Sequence, residues 1–335
     1  MTPQPVTARR ASLIARIIYA LFVLIMPRLV RWTNQRGGPQ AAAGKLVRIG
    51  RGTNNVARLQ RLRPFFGIRF DRPADAPVPV EVVRRRDCDR PFGGGVILYF
   101  HGGGFFTGGL NSHLHFVATL ARRTGLPVVH VEYRQFPEVT VEGSVHDCVE
   151  TYRWLLDHGA DPDRTVIAGD SAGGYLTFAT ALAAQQVGLP APAGVIGISA
   201  VLELDGAGRL GHPNVGRDAF GIDIAIADLM DQVCPSAQLR HDLDPIHGPL
   251  DLMPPALMIA ADSEILRCDS ERLCHELERH DRPCQLEIWP SQIHAFPAVL
   301  PFLPESRAAV AVIAQFVAER MATAGPIGDA RREVS

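Results

Sequence analysis

Val166-Ile-Ala-Gly-Asp-Ser-Ala-Gly173 is the stretch on which the fold is decided. Val166 to Ala168 has the apolar, β-branched texture of a strand buried on both faces, and a helical pattern runs from Ala172 to about residue 186. Gly169-Asp170-Ser171-Ala172-Gly173 must therefore turn a strand into a helix within a few residues. Its small residues let the backbone fold tightly, and the strained turn lifts the Ser171 hydroxyl above the sheet. An ordinary glycine turn before a helix shares this local pattern, so the weight lies in what surrounds it.

Working outward, short β-type runs alternate with longer helical patterns from about residue 78. Val80 to Arg84 alternates like an edge strand. Val96 to Phe100, Val128 to Val131 and Leu257 to Ala260 read as strands buried on both faces, and Cys284 to Trp289 closes the series. Helices are expected around 112–123, 143–157, 172–186 and 269–280. That order is the signature of α/β architecture: a mostly parallel, doubly wound sheet with helices on both faces. Residues 203–250 break the rhythm, being rich in Gly, Pro and Asp around a short helical stretch near Ile222 to Met230. They read as a cap inserted over the carboxyl ends of the strands, where such sheets place their ligands.

His101-Gly-Gly-Gly-Phe105 directly follows the strand Val96 to Phe100. Three consecutive glycines there leave bare amides free to point into a cavity, and Gly103 and Gly104 with the amide of Ala172 are assigned to an oxyanion hole. Each donor in such a hole is worth about 3 kcal/mol of transition-state stabilisation. His101 is read as shaping this loop rather than moving protons. Serine needs a base, and among twelve histidines His294, in Ile293-His-Ala-Phe296 after the last strand, stands in the right place. The chain order Ser, acid, His calls for a carboxylate between them at a strand end, and Asp262 and Glu264 are the two candidates.

Taken together these residues resemble the bacterial hormone-sensitive lipase family of α/β-hydrolase esterases, over roughly Val80 to Phe316. Tyr133-Arg134 with Pro137-Glu138 is similar to the family's Y-R-x-x-P-E turn, and Asp147 falls where the family has an aspartate opening the next helix. Pro254-Pro255 also matches. Aligning Leu266 with the leucine of the family's D-P-L-x-D stretch puts Glu264 at the catalytic acid and leaves Asp262 as the alternative. The chain departs from the pattern with Glu264 itself, Cys268 for the second aspartate, Phe105 for tryptophan and Ala295 for glycine. The resemblance implies a serine carboxylesterase acting on short to medium acyl esters, with catalytic Ser171, Glu264 and His294. No metal and no organic cofactor is implied. Arg134, Glu138 and Asp147 are read as bracing the loop under the oxyanion strand. An amidase or deacetylase using the same three residues is the alternative within enzymes. A non-catalytic small-molecule receptor on this scaffold is the alternative outside them, and the presence of His294 speaks against it.

At 335 residues with 47% hydrophobic composition the chain can bury a large core. Its formal net charge of −1 conceals an asymmetry. Thirteen of the 34 Lys and Arg residues lie in residues 1–70, which contain no Asp or Glu, the first acid being Asp71. Residues 1–70 are accordingly set apart as a basic arm with cap helices, and residues 71–335 as the catalytic domain. The arm points to an anionic surface or to the protein's own acidic body. No base-reading motif follows, so nucleic acid is not expected. The apolar run Ile17 to Met26, preceded by Arg9, Arg10 and Arg16, is about ten residues long where a bilayer takes about twenty. It is read as a buried or lid helix, with an interfacial helix in peripheral membrane contact and a targeting or spanning segment as the alternatives. The six cysteines, without a C-x-x-C pair or zinc-type spacing, read as reduced thiols of a cytoplasmic protein. The sequence leaves homo-oligomerisation open.

Overall fold

The computed structural model describes residues 10–34, 52, 57–62, 64–88 and 92–324. Among the described residues eight strands form one sheet: β1 (Ile68–Asp71), β2 (Val80–Arg85), β3 (Val96–Phe100), β4 (Val128–Val131), β5 (Thr165–Asp170), β6 (Gly194–Ile198), β7 (Ala256–Ala261) and β8 (Cys284–Trp289). Their order is β1-β2-β4-β3-β5-β6-β7-β8. The pairs β1–β2 and β2–β4 are antiparallel, and from β4 to β8 the sheet is parallel. The helices are α1 (Leu13–Asn34), α2 (Leu114–Thr124), α3 (Val141–Asp157), α4 (Ala172–Gln186), α5 (Ile222–Val233), α6 (Ala237–Leu243), α7 (Arg267–Arg279), α8 (Phe296–Val299) and α9 (Pro304–Thr323).

The central strands are wholly buried because helices cover both faces, which is why they read as continuous apolar runs. On one face Leu98, Phe100, Val129 and Val131 pack with Tyr152 and Leu155 of α3 and Leu176 and Phe178 of α4. On the other, Ile97, Tyr99, Val166, Ile196 and Ile259 pack with Phe116 and Leu120 of α2 and Ile313 and Phe316 of α9. Residues 203–250 carry α5 and α6 between β6 and β7.

Several expectations are corrected. β2 is not an edge strand, since it lies between β1 and β4. Its polar Glu81 is fully buried and takes Arg61 and Arg72 at 3.0 and 2.9 Å, so a charge that suggested an exposed face is a buried carboxylate covered by two partly exposed arginines. The arm boundary at residue 70 falls inside β1, the true edge strand. β6 has no counterpart in the sequence reading. Gly194 and Gly197 gave it a loop-like texture, yet a side chain at Gly197 would come within 2.8 Å of Phe178, so close packing requires the glycine. Asp147 sits in the second turn of α3 rather than opening it.

Cys274 in the middle of α7 and Cys284 at the start of β8 form a disulfide with Cα atoms 5.3 Å apart, correcting the reading of six reduced thiols. Their ten-residue separation spans a helix–strand turn, a geometry invisible to a search for C-x-x-C. Cys148, Cys234 and Cys268 carry free thiols.

The apolar N-terminal segment is a 22-residue helix, α1, because Arg16 and Pro27 lie within it instead of bounding it. Leu13–Arg31 is long and apolar enough to cross a membrane by length and composition, and 6% of that window is buried. The reading of a short, buried helix does not hold. Arg9 and, within the arm, residues 35–51 lie outside the described residues.

Candidate active site

β5 ends in Asp170 and α4 begins at Ala172, and the residue between them, Ser171, has φ 52° and ψ −118°. A non-glycine residue in that region stores strain, as a nucleophile turn does. The turn closes so tightly that a Cβ at Gly173 would lie 2.0 Å from the Phe100 carbonyl oxygen of β3. Ser171 N–H donates to Ile198 O at 2.8 Å, and Ser171 O accepts from Val201 N–H at 3.2 Å. Residues 198–201, just after β6, therefore wrap the serine.

The same stretch reaches the acid and the base. Ser199 Oγ donates to Glu264 Oε1 at 2.8 Å and accepts from Ala295 N–H at 2.9 Å. Glu264 Oε1 also accepts from Ala261 N–H at 2.8 Å. The other carboxylate oxygen, Oε2, lies 2.8 Å from His294 Nδ1, both side chains being buried. With Nδ1 held by the carboxylate, Nε2 is the nitrogen left for proton transfer. Burial lowers the His294 pKa, but the hydrogen bond and charge of Glu264 outweigh it and leave it raised above 6.5.

Asp262 does a different job. Its Oδ1 accepts from Ser291 N–H at 3.1 Å, and its carbonyl accepts from Asn214 Nδ2 at 2.9 Å, so it braces the loop after β8. Burial raises its pKa. Asn214 Nδ2 bonds the Glu264 carbonyl as well, at 2.9 Å, and Asp218 Oδ2 accepts from Ile265 N–H at 2.9 Å. Both come from the cap, so the cap fixes the acid-bearing loop. Ser199, Asn214 and Asp218 were missed in the sequence, because a lone Ser, Asn or Asp in a loop carries no motif.

Gly103 and Gly104 have φ 131° and 62°, and a Cβ at Gly103 would lie 2.0 Å from the Thr107 carbonyl oxygen, so only glycine fits. Among the described residues the amides of Gly103, Gly104 and Ala172 donate to no other group. The loop is held from beneath. Asp170 Oδ1 accepts from Gly102 N–H at 2.9 Å and from the Tyr99 hydroxyl, while Oδ2 meets His113 Nε2 at 3.2 Å. Burial would raise the Asp170 pKa, but His113, Tyr99 and Gly102 together bring it down to about 2. His101 is stacked on Tyr133 with ring centroids 4.5 Å apart, and the Tyr133 hydroxyl donates to the His101 carbonyl at 2.7 Å. Burial, then the neighbouring His113, pushes the His101 pKa down to about 3, so it stays neutral. Arg134 grips Asp147 through two nitrogens, at 2.7 and 3.0 Å. Phe136 N–H donates to Phe105 O at 2.8 Å, linking this turn to the glycine loop. A groove of about 930 Å³ behind that loop is lined by Phe106 and residues 133–138 but by none of Ser171, Glu264 and His294, so it is not the reaction site.

Ala295 has φ 50°, the conformation glycine adopts at least cost, which accounts physically for glycine being common there in the resembling family. Among the described residues no group of three or more His, Cys, Asp or Glu side chains is arranged to hold a metal.

A family model described as alpha/beta hydrolase fold matches residues 97–298, and the chain belongs to that family. Within it the chain is a bacterial hormone-sensitive-lipase-like esterase. It is 34% identical to the esterase LipU of Mycobacterium tuberculosis over 231 residues, 67% of this chain and 77% of LipU. It is 33% identical over 237 residues to the carboxylesterase/phospholipase LipF of the same organism, covering 68% of this chain and 63% of LipF. A solved esterase from the bacterial hormone-sensitive lipase family superposes with a TM-score of 0.76 at 25% identity, covering 93% of this chain and 100% of the other.

Proposed function

We propose that Ser171, His294 and Glu264 hydrolyse short to medium acyl esters through an acyl-enzyme. As a member of its family the chain is a serine ester hydrolase, and these residues supply the parts such chemistry needs. His294, oriented by Glu264, takes the Ser171 proton as the oxygen attacks the ester carbonyl. The tetrahedral oxyanion is received by the amides of Gly103, Gly104 and Ala172. His294 then returns the proton to the leaving alcohol, and water, activated by the same imidazole, releases the acid. Asp262 is the bracing carboxylate. The observation that carries this reading is the 2.8 Å contact of Glu264 with His294, tied through Ser199 to the segment that wraps Ser171.

The cap belongs to the reading as well. Residues 203–250 form the lid as an insertion of the catalytic domain, and α1 of the N-terminal arm packs beside it through Phe22 and Phe220. Small esters are the partners at the site. A cytoplasmic location stays part of the reading, with membrane contact confined to the N-terminal helix. A fluorophosphonate probe tests the nucleophile directly. Labelling of the native chain and none of Ser171→Ala, whose unfolding midpoint is unchanged, is expected. Labelling of a folded Ser171→Ala protein at the native rate would overturn the assignment, and an acyl-length series on the native enzyme then places the substrate preference.

A further inference from the structure

Helix α1 has two unlike faces. Toward the body, Ala15 is buried, and Tyr19 and Phe22 pack on the core of the sheet's second face. The Phe22 ring lies 5.7 Å from Phe220 of the cap, and Pro27 and Val30 pass so close to Gly221 that a Cβ there would meet them at 3.3 and 3.4 Å. At its start Ser12 caps the helix, its Oγ accepting from Ala15 N–H at 3.2 Å. Ser12 also donates to Glu305 of α9, through its amide at 2.6 Å and its hydroxyl at 3.3 Å. Both ends of α1 are therefore fastened to the same folded body.

Away from the body, Leu13, Ile14, Ile17, Leu21, Val23, Leu24, Ile25 and Leu29 are between 42% and 70% exposed. A contiguous apolar face of that length on a water-exposed helix marks an interaction surface. Arg10, Arg16, Arg28 and Arg31 are exposed along and beside it, and no acidic residue precedes Asp71.

We propose that α1 lies in the plane of an anionic lipid bilayer, its exposed face buried among the acyl chains and its arginines against the headgroups. Charge selects this occupant. A second copy would set these arginines against their equivalents, whereas an anionic headgroup layer neutralises them. The fastening of both ends selects the orientation, because a helix that crossed the bilayer would have to leave Glu305 and Gly221. The surface also adjoins the reaction site. Phe22 meets Phe220, and Phe220 lies edge-on to His294 with ring centroids 5.9 Å apart. Resting on the esterase reading, docking of α1 would present the mouth of the site to esters dissolved in the membrane.

Binding is measured on full-length Ser171→Ala protein, so that it does not depend on hydrolysis. Co-sedimentation with vesicles of phosphatidylcholine alone is compared with vesicles containing equal phosphatidylglycerol. Pelleting with the anionic vesicles is expected, weakening about tenfold or more toward 1 M salt, where the Debye length shrinks to about 3 Å. The triple variant Ile17→Glu, Leu21→Glu, Leu24→Glu alters only exposed side chains. It should bind about a hundredfold less while, with Ser171 intact, hydrolysing a water-soluble p-nitrophenyl ester at the native rate. Pelleting that is absent, or equal in the triple variant, would overturn the proposal. So would concentration-dependent dimers that the triple variant abolishes without any vesicle binding. Protection of an N-terminal tag from protease in native membranes would show a crossing helix and overturn the in-plane geometry.

Discussion

The hydroxyl of Ser199 stands 2.8 Å from Glu264 Oε1, and through its acceptance of Ala295 N–H it fastens the catalytic carboxylate to the residue after His294. Ser199 is fully buried and has φ 49°. Its substitution therefore acts on two loops at once. Ser199→Ala leaves a buried amide unpaired, costing about 1–3 kcal/mol of stability. It is expected to lower kcat about tenfold or more with little change in KM, since the carboxylate loses a donor that fixes its direction. Steady-state kinetics and a urea midpoint on the same preparation check both parts, and an unaltered kcat would remove Ser199 from the positioning network.

The choice between the two acids follows from the pH profile. Glu264 holds the His294 pKa above 6.5, so kcat/KM should rise with pH as the imidazole loses its proton, with a midpoint above that value. Glu264→Gln removes the negative charge while burial persists, and the midpoint moves down. The rate should fall by about a thousandfold or more, as when the acid of such a triad is replaced. Asp262→Asn keeps an acceptor for Ser291 N–H and touches no part of His294, so it should change kcat/KM by less than about fivefold. A midpoint that moved with Asp262 instead would reverse the two roles.

Asp170 ties the nucleophile turn to the oxyanion loop. It receives Gly102 N–H, the Tyr99 hydroxyl and His113, and is fully sequestered. Asp170→Asn leaves His113 without its anion and turns an amide NH2 toward groups that are already donors. A loss of about 3 kcal/mol is expected. The sign of the pH effect is fixed by the lowered pKa. The folded-state pKa near 2 lies below the ordinary 3.8, so this group's contribution is whole above about pH 4 and disappears as pH falls through 2. The native chain should therefore lose more stability between pH 4 and 2 than Asp170→Asn does, as read from midpoints measured across that range.

Much of this architecture is readable in the residues. The elbow at Ser171, the helices α3, α4 and α7 and the strands β3 to β5 carry periodic or wholly apolar patterns. Those signals survive without knowledge of partners. What escaped depends on tertiary context. β6 carries two glycines because Phe178 and Met258 crowd Gly197 and Phe316 crowds Gly194, and β2 hides Glu81 beneath two arginines, so each imitates a different element. The arginine and proline of α1 look like boundaries until the body shows which face it supports. At the site, Ser171 and His294 are legible from motif and chain order. Ser199, Asn214 and Asp218 are not, since their roles exist only where three separate loops meet.

The last test concerns Cys274 and Cys284, which join the helix following Glu264 to the strand preceding His294. The bridge closes a short loop, so in the chain-entropy picture it restricts the unfolded state by about 2–3 kcal/mol. Cys274 is fully buried and Cys284 partly exposed, so reduction of the folded protein should be slow and proceed from the strand side. With six cysteines in the chain, the denatured protein should titrate four thiols before reductant and six after it. The double variant Cys274→Ala, Cys284→Ala should lower the unfolding midpoint while leaving kcat within about twofold, because the bridge lies at the opposite end of β8 from the loop that carries His294. Six thiols titrating without reductant in protein purified under air would mean that the pair stays reduced. The stabilisation would then be absent, and the cytoplasmic reading would regain the support of its cysteines.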